Sequence, residues 1–370
     1  MKQKKILIAF GTRPEAVKFA PLIQKLRQTS GFKCFVCLTG QHREMLAQVI
    51  RFFKIDVDTD LKLMRANQSL EYVSGRVIIK FGKIIRTVKP DLLFVQGDTA
   101  TALMVAISSF YSRVPIAHLE AGLRTWDKYR PFPEEINRKL ITHLADYHFS
   151  PSPVATRNLI HEGVSKLRIY EVGNTVVDAV QLARPLVKKK YTVFKSVNFK
   201  NRILFITAHR RESFGQGLRE IFNGLKEIVQ RHKDIDLVYP VHLNPKVSTL
   251  ARKILGRVKR VHLMRPLTYE ETCWIMNRCY LILTDSGGIQ EEAPSFKKPV
   301  LVLRDVTERP EGIKAGVAQL VGTNQHKIVS AANQLLNSET AYKRMIAKTN
   351  PYGDGKASER IITSLRKILR

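Results

Sequence analysis

Long hydrophobic runs are missing from this 370-residue chain. No apolar stretch approaches the roughly 20 residues that a bilayer-spanning helix needs, which argues against membrane insertion. The apolar stretch behind the basic start ends at Phe10 and meets Gly11-Thr12-Arg13-Pro14, too short for a signal-peptide core. We therefore expect a cytoplasmic protein with no membrane partner. Cysteine is scarce too: Cys34, Cys37, Cys273 and Cys279 are all there are. Cys34-x-x-Cys37 falls in a stretch, 32–38, that reads as a buried strand, where residues three apart point to opposite faces. No second closely spaced Cys/His pair completes a zinc site, so the thiols read as small core residues and no metal is expected. The turn at 11–16 is neither a Gly-x-Gly-x-x-Gly fingerprint nor a P-loop, and no short-period repeat or low-complexity tract is evident. Acidic residues are few, 32 against 62 lysines and arginines, for a formal charge of +30. Such a field suits a nucleic acid or an anionic membrane. The basic residues, however, are scattered through every segment, the only compact run is Lys188-Lys189-Lys190, and no helix-turn-helix, zinc-finger or RNP pattern stands out. A solvated basic surface that steers an anionic substrate is the expectation, with no nucleic-acid partner.

What is present is alternation. A chain of 370 residues with 44% hydrophobic composition exceeds the size at which one core stops growing, so two domains are expected. Short β-rich runs alternate with helical patterns throughout, the mark of parallel α/β architecture. The first series has strands at 5–10, 33–38, 91–96, 115–119, 147–150 and 169–172, with helices such as 16–28 and 70–88. Val17, Ala20, Ile23 and Leu26 follow a helical period and give one buried face. A less periodic basic stretch, 188–201, reads as a linker. The second series then has strands at 202–207, 235–239, 261–264, 281–284 and 299–303, with helices at 218–232 and 268–277. The fold class is α/β, with two Rossmann-like doubly wound domains facing a cleft at their strand C-terminal ends. The expected boundaries are 1–187 and 202–357, with a C-terminal helix, 358–370, returning to the first domain as a strap.

Four clusters carry chemistry. Gly11-Thr12-Arg13-Pro14-Glu15-Ala16 follows the first strand, with Pro14 in a first-turn position. A helix N-terminus there attracts anions, and Arg13 and Lys18 add mobile positive charge; a purely structural cap fits the same residues equally well. Thr284-Asp285-Ser286-Gly287-Gly288-Ile289-Gln290-Glu291-Glu292 is the second anion candidate. Ser286, Gly287 and Gly288 offer backbone N–H groups to a phosphate, and Glu292, about a turn on, can accept from ribose hydroxyls. The competing reading is a glycine turn with an acidic first helical turn. Asp98 and Glu120 each follow a strand, and right-handed crossovers bring both loops to one sheet edge. Glu134 and Glu135 open a helix behind Pro131-Phe132-Pro133, with Glu134 turning toward the same cleft. Clustered carboxylates raise one another's pKa, which suits proton abstraction and return near neutral pH; singly, such acids are helix caps. His209-Arg210-Arg211-Glu212 follows 202–207, where His209 can hold or protonate a departing phosphate and Arg210 can neutralise it.

These residues carry a resemblance. Phe10-Gly11-Thr12-Arg13-Pro14-Glu15-Ala16, Thr39-Gly40-Gln41-His42-Arg43-Glu44-Met45-Leu46, Gln96-Gly97-Asp98-Thr99 and His118-Leu119-Glu120-Ala121-Gly122-Leu123-Arg124 are similar to motifs of the non-hydrolysing UDP-N-acetylglucosamine 2-epimerase family. So are Pro131-Phe132-Pro133-Glu134-Glu135, Ala208-His209-Arg210-Arg211-Glu212, Pro240-Val241-His242-Leu243-Asn244-Pro245, Leu283-Thr284-Asp285-Ser286-Gly287-Gly288 and Asn350-Pro351-Tyr352-Gly353-Asp354-Gly355. The resemblance implies a GT-B-type fold, a homodimer, UDP-N-acetylglucosamine and UDP as ligands, and no cofactor or catalytic metal. It implies inversion at carbon 2 by elimination of UDP to 2-acetamidoglucal and re-addition. It puts Asp98, Glu120 and Glu134 in acid/base roles, with His209 and Arg13 near the phosphates. Ser286, Gly287 and Gly288 become phosphate contacts and Glu292 the ribose contact. Gln41, His42, Arg210 and His242 match a second, regulatory nucleotide-sugar site, while Glu44 and Asn67 stand where some relatives carry glutamine and arginine, which leaves substrate activation open. The extreme basicity is not a trait of the family. A GT-B glycosyltransferase using a UDP-sugar shares the architecture and the phosphate loop, and a basic nucleic-acid binder would share the charge. With ligand groups split between the two halves, we also expect UDP to favour a closed state about a hinge near 188–201.

Overall fold

The structure, a computed structural model, describes residues 3–40, 43–63, 68–346 and 349–370. The chain divides into two units, Met1–Leu182 together with Tyr352–Arg370, and Ala183–Pro351.

Among the described residues of the first unit seven segments become strands: β1 (Lys4–Phe10), β2 (Phe32–Leu38), β3 (Thr59–Asp60), β4 (Leu92–Gln96), β5 (Ile116–Leu119), β6 (Tyr147–Ser150) and β7 (Ile169–Glu171). They form one sheet in the order β3-β2-β1-β4-β5-β6-β7, parallel at every pairing. Ile6, Leu7 and Ile8 are all buried, as are Leu92, Leu93 and Phe94. Consecutive strand residues face opposite sides, so both faces of the sheet are covered, and helices supply that cover. The helices Leu70–Val88 and Ala100–Tyr111 start where side-chain oxygens take up free N–H groups: Ser69 accepts from Tyr72 at 3.2 Å and Thr99 from Ala102 at 3.1 Å. Val73, Val77, Phe81 and Ile85 then recur along the former at helical spacing and enter the core beside Leu93 and Val95.

The second unit repeats the plan with β8 (Arg202–Thr207), β9 (Ile235–Pro240), β10 (Val261–Met264), β11 (Leu281–Thr284), β12 (Val300–Val302) and β13 (Ala318–Leu320). The order is β10-β9-β8-β11-β12-β13, again parallel throughout. On the helix Gln216–Arg231 the residues Leu218, Ile221, Phe222, Leu225, Ile228 and Val229 form one apolar face, buried with Leu204, Ile206, Leu237 and Tyr239 of the sheet.

Two strands escaped the sequence reading. β3 and β13 have two and three residues at sheet edges, too short to display a period of two. The stretch 188–201, read as a linker, packs within the second unit: Phe194 stacks on Trp274, with centroids 4.7 Å apart, and the Trp274 indole N–H donates to the Lys189 carbonyl at 3.1 Å. Its aromatic residues anchor it although its overall character is basic and aperiodic. The C-terminal helix, Ala357–Ile368, lies in the first unit. Asp178 accepts hydrogen bonds from the backbone N–H groups of Ala357 at 3.2 Å and Ser358 at 2.8 Å, which fixes its start. Among the described residues no helix is long and apolar enough to cross a membrane, and no cluster of three or more metal-ligating side chains is present.

Candidate active site

Each sheet reverses its winding once, between β1 and β4 in the first unit and between β8 and β11 in the second. Helices leave such neighbouring strands toward opposite faces, so a crevice opens beyond their C-terminal ends. Arg13 and Asp98 stand in the loops after β1 and β4, and His209 and Ser286 in those after β8 and β11, while Glu120 follows the next strand, β5.

In the first unit the turn after β1 and the loop after β4 are joined by one carboxylate. Glu15 is buried; its Oε2 accepts from the backbone N–H of Gly11 at 2.9 Å and of Thr12 at 2.7 Å, and from the Thr12 hydroxyl at 2.8 Å. Its Oε1 accepts from the Thr99 hydroxyl at 2.8 Å. Burial pushes the Glu15 carboxyl above its usual value, against the opposing effect of these donors. Arg13, at the first helical position, and Asp98, beside Thr99, are thereby held on a common frame. The Glu15 signal was legible: a Thr three residues before a Glu at a strand end is the capping-box spacing.

Glu120, the residue after β5, is buried with φ of +63°, a left-handed conformation that costs a non-glycine residue about 1–3 kcal/mol unless its surroundings enforce it. Here Lys18 forms an ion pair with Glu120 and the Gln96 amide donates to its other oxygen. Two residues on, Gly122 has φ of +92°, and a Cβ there would lie 2.3 Å from the Ala155 carbonyl, so this loop can seat against the helix Pro153–His161 only with glycine. Asp98 pairs with Arg138, while the Asn137 amide donates to the Asp98 carbonyl at 2.8 Å. Glu134 opens the helix Glu134–Leu144, and its neighbour Glu135 accepts from the N–H groups of Thr125 and Trp126, each at 3.1 Å, and from Arg138 at 3.1 Å. Behind them His118 is fully buried, with Nε2 2.8 Å from the Gly97 carbonyl. Burial drops it to about 3, so it stays neutral and serves to hold the Gly97-Asp98 turn.

Two expectations need correction. Lys18 is not a mobile surface charge: it lies on the buried side of its helix and is spent on Glu120. Nor do Asp98 and Glu120 face only one another's charge, because Lys18 faces Glu120 and Arg138 faces Asp98 and Glu135. Arg138 went unnoticed in the sequence, although its place three residues beyond Glu135 puts both on one helical face.

In the second unit Asp285, directly after β11, is completely buried. It accepts from the backbone N–H groups of His209 and Arg210, the latter at 2.7 Å, and its Oδ1 lies 3.3 Å from Nδ1 of His209. Burial pushes the Asp285 carboxyl upward, but His209 and the two backbone donors outweigh this and hold it below the usual range. The His242 ring lies parallel to that of His209, and burial lowers His242 from its ordinary value, helped by His209. Ser286 caps the short helix Gly287–Glu292, and its N–H donates to the Thr284 hydroxyl at 2.9 Å. A Cβ on Gly287 would meet the Arg309 guanidinium at 2.5 Å, whereas one on Gly288 would stand 3.9 Å from the Glu292 carboxylate. Arg309 bridges Glu291 at 2.7 Å and Glu308, and Glu308 also receives Arg304 at 2.8 Å and Arg210 at 3.9 Å. Burial alone would raise Glu308; the three arginines reverse this and hold it far below the carboxylate range. This buried ion network, absent from the sequence reading, ties together the loops that carry Arg210 and Gly287. Gln41 and His42, the other residues matched to a regulatory site, lie outside the described residues.

Residues 24–366 match the family model described as UDP-N-acetylglucosamine 2-epimerase. The chain is 47% identical over 369 residues to the UDP-N-acetylglucosamine 2-epimerase of Escherichia coli O157:H7, covering 98% of each. Its fold resembles the crystal structure of UDP-GlcNAc 2-epimerase from Neisseria meningitidis bound to UDP-GlcNAc, with a TM-score of 0.95 and 40% identity over 98% of this chain and all of that one. A co-structure of S. aureus MnaA with UDP is similar at a TM-score of 0.93 and 43% identity, covering 99% of this chain and 97% of the other.

Proposed function

The chain belongs to the UDP-N-acetylglucosamine 2-epimerase family, and from that membership we propose that it interconverts UDP-N-acetylglucosamine and UDP-N-acetylmannosamine. Carbon 2 has no neighbouring carbonyl, so its proton is not acidic enough for direct removal and return. Elimination avoids this. A carboxylate takes the proton from carbon 2 as the bond from carbon 1 to the phosphate oxygen breaks, the electron pair forms the double bond of 2-acetamidoglucal, and UDP leaves with the charge. Re-addition of a UDP oxygen to carbon 1, with a proton delivered to the other face of carbon 2, completes the inversion. The route is redox-neutral, and no cofactor enters it.

The observation that carries this reading is the pair of carboxylates in loops after neighbouring strands, Glu120 and Asp98, each tied to a defined partner. Glu120 with Lys18 and Gln96, Asp98 with Arg138, and Glu134 at the head of the adjoining helix supply groups that hold and release protons without being free to wander. Arg13 and His209 serve the diphosphate, Ser286, Gly287 and Gly288 contact it, and Glu292 accepts from the ribose. Arg210 and His242, with Gln41 and His42, belong to a second nucleotide-sugar site. The enzyme works in the cytoplasm, where nucleotide sugars are made available to it. It acts as a homodimer, a state supported by the apolar side chains exposed on two adjoining helices, Ile79, Phe110 and Tyr111.

Incubation with UDP-N-acetylglucosamine in deuterated water is the decisive test. One deuterium at carbon 2 of the recovered nucleotide sugars is expected. Release of UDP only on addition of an acceptor, with no deuterium gained, would mark a glycosyltransferase instead.

A further inference from the structure

His209 is held more firmly than phosphate contact alone requires. Its backbone N–H and that of Arg210 both donate to Oδ2 of Asp285, and Oδ1 of the same carboxylate stands 3.3 Å from its Nδ1. Its face is covered by the His242 ring, with centroids 5.3 Å apart and planes within 7°. His242 is fixed in turn by the Asn244 N–H, which donates to its Nδ1 at 3.1 Å. Arg210, the next residue, is drawn to Glu308 at 3.9 Å, and the Tyr239 hydroxyl donates to the Ala208 carbonyl at 2.7 Å. His209 is therefore the side-chain partner that these contacts give Asp285. About a third of the His209 side chain, 38%, remains exposed.

We infer that Asp285 and His242 are positioning residues that clamp the His209 ring, Asp285 at its Nδ1 edge and His242 on its face, leaving Nε2 as the nitrogen that meets a phosphate oxygen of the nucleotide. This rests on His209 serving the diphosphate, as proposed above. A ring with Nδ1–H directed at a carboxylate has its tautomer set, and a second proton on Nε2 is balanced by the same carboxylate as it is donated to the leaving group. Burying an aspartate completely is costly unless its charge is met. Two backbone donors and one imidazole meet it here, which ties the end of β8 to the end of β11 at the reversal of the sheet.

A double-mutant cycle on epimerisation separates positioning from mere support. In Asp285→Asn the remaining oxygen still accepts both backbone N–H groups, while the amide presents a donor to Nδ1. The expected loss in kcat/KM is about 10²-fold, as for a displaced site group, with Tm near wild type. In a His209→Ala background the same substitution should add nothing beyond about twofold, because Asp285 then has no ring to position. His242→Ala should also lower kcat/KM, and that loss should likewise vanish in the His209→Ala background, which a role confined to the second nucleotide-sugar site would not produce. Losses that multiply in the double variants, or an Asp285→Asn enzyme with wild-type kcat/KM, would overturn the clamp. Should Asp285→Asn fail to fold, the His242→Ala cycle decides alone: a loss that persists undiminished in the His209→Ala background sinks the idea. Wild-type deuterium incorporation at carbon 2, measured alongside, distinguishes loss of the clamp from loss of the epimerase reading itself.

Discussion

At the scale of single residues, the carboxylates of the first unit owe their character to their partners. Glu120 is kept in a strained left-handed conformation by Lys18 and Gln96, and Asp98 is tethered to Arg138. None of the three proposed acid/base residues is needed to hold the nucleotide, so Asp98→Asn, Glu120→Gln and Glu134→Gln should each lower turnover by about two to four decades while UDP affinity, read by calorimetry, stays within a few-fold of wild type. If two of the three kept near-normal turnover, the acid/base assignment would be wrong. As candidates Asp98 and Glu120 were legible, because an acid in the loop just after a strand of a parallel sheet reaches the functional edge. Their partners were not. Lys18 lies 102 residues from Glu120 and Arg138 lies 40 from Asp98, and no local pattern encodes such pairings.

At the scale of elements, β5 and β6 carry two histidines side by side in register, His118 and His148. Burial lowers them to about 3 and about 4 respectively, from an ordinary value of 6.5. Between those values the unfolded chain binds protons that the folded chain refuses, so the fold gains stability as pH rises and has the full contribution above about 6.5. Below that pH the loss approaches about 1.4 kcal/mol per pH unit for each histidine. Thermal melts should thus show Tm falling from pH 7 to pH 5, and His148→Gln should fall less steeply over the same interval. An identical slope in the variant would mean that other groups govern acid stability. The pairing follows from strand register, whereas each histidine taken alone reads as an isolated polar residue.

For the whole molecule the dominant property is a formal charge of +30. A field of that sign draws in a dianionic nucleotide sugar over distances that salt shortens, from about 10 Å at 0.1 M ionic strength to about 3 Å at 1 M. kcat/KM for UDP-N-acetylglucosamine should therefore fall as neutral salt is raised, with kcat nearly constant; a flat salt profile would show that the charge plays no part in capture. The two units reach similar sheets by the same route, a central pair of strands from which winding proceeds outward both ways. Each thereby generates its own crevice of loops, and each crevice gathers residues that are far apart along the chain.

The sequence by itself determined the α/β class, eleven of the thirteen strands among the described residues, the two-domain plan and the loops that bear the proposed chemistry. Those follow from short-range physics: apolar runs, helical spacing, glycine and capping residues at strand ends. Only the tertiary structure decided that 188–201 packs into the second unit, that Lys18 is spent on Glu120, that Arg304, Arg309 and Arg210 converge on Glu308, and that Asp285 grips His209. Each of these is a choice of partner for a charge or an aromatic ring. Such choices depend on which strands become neighbours and how far they are offset, and that information appears only once the sheets have assembled.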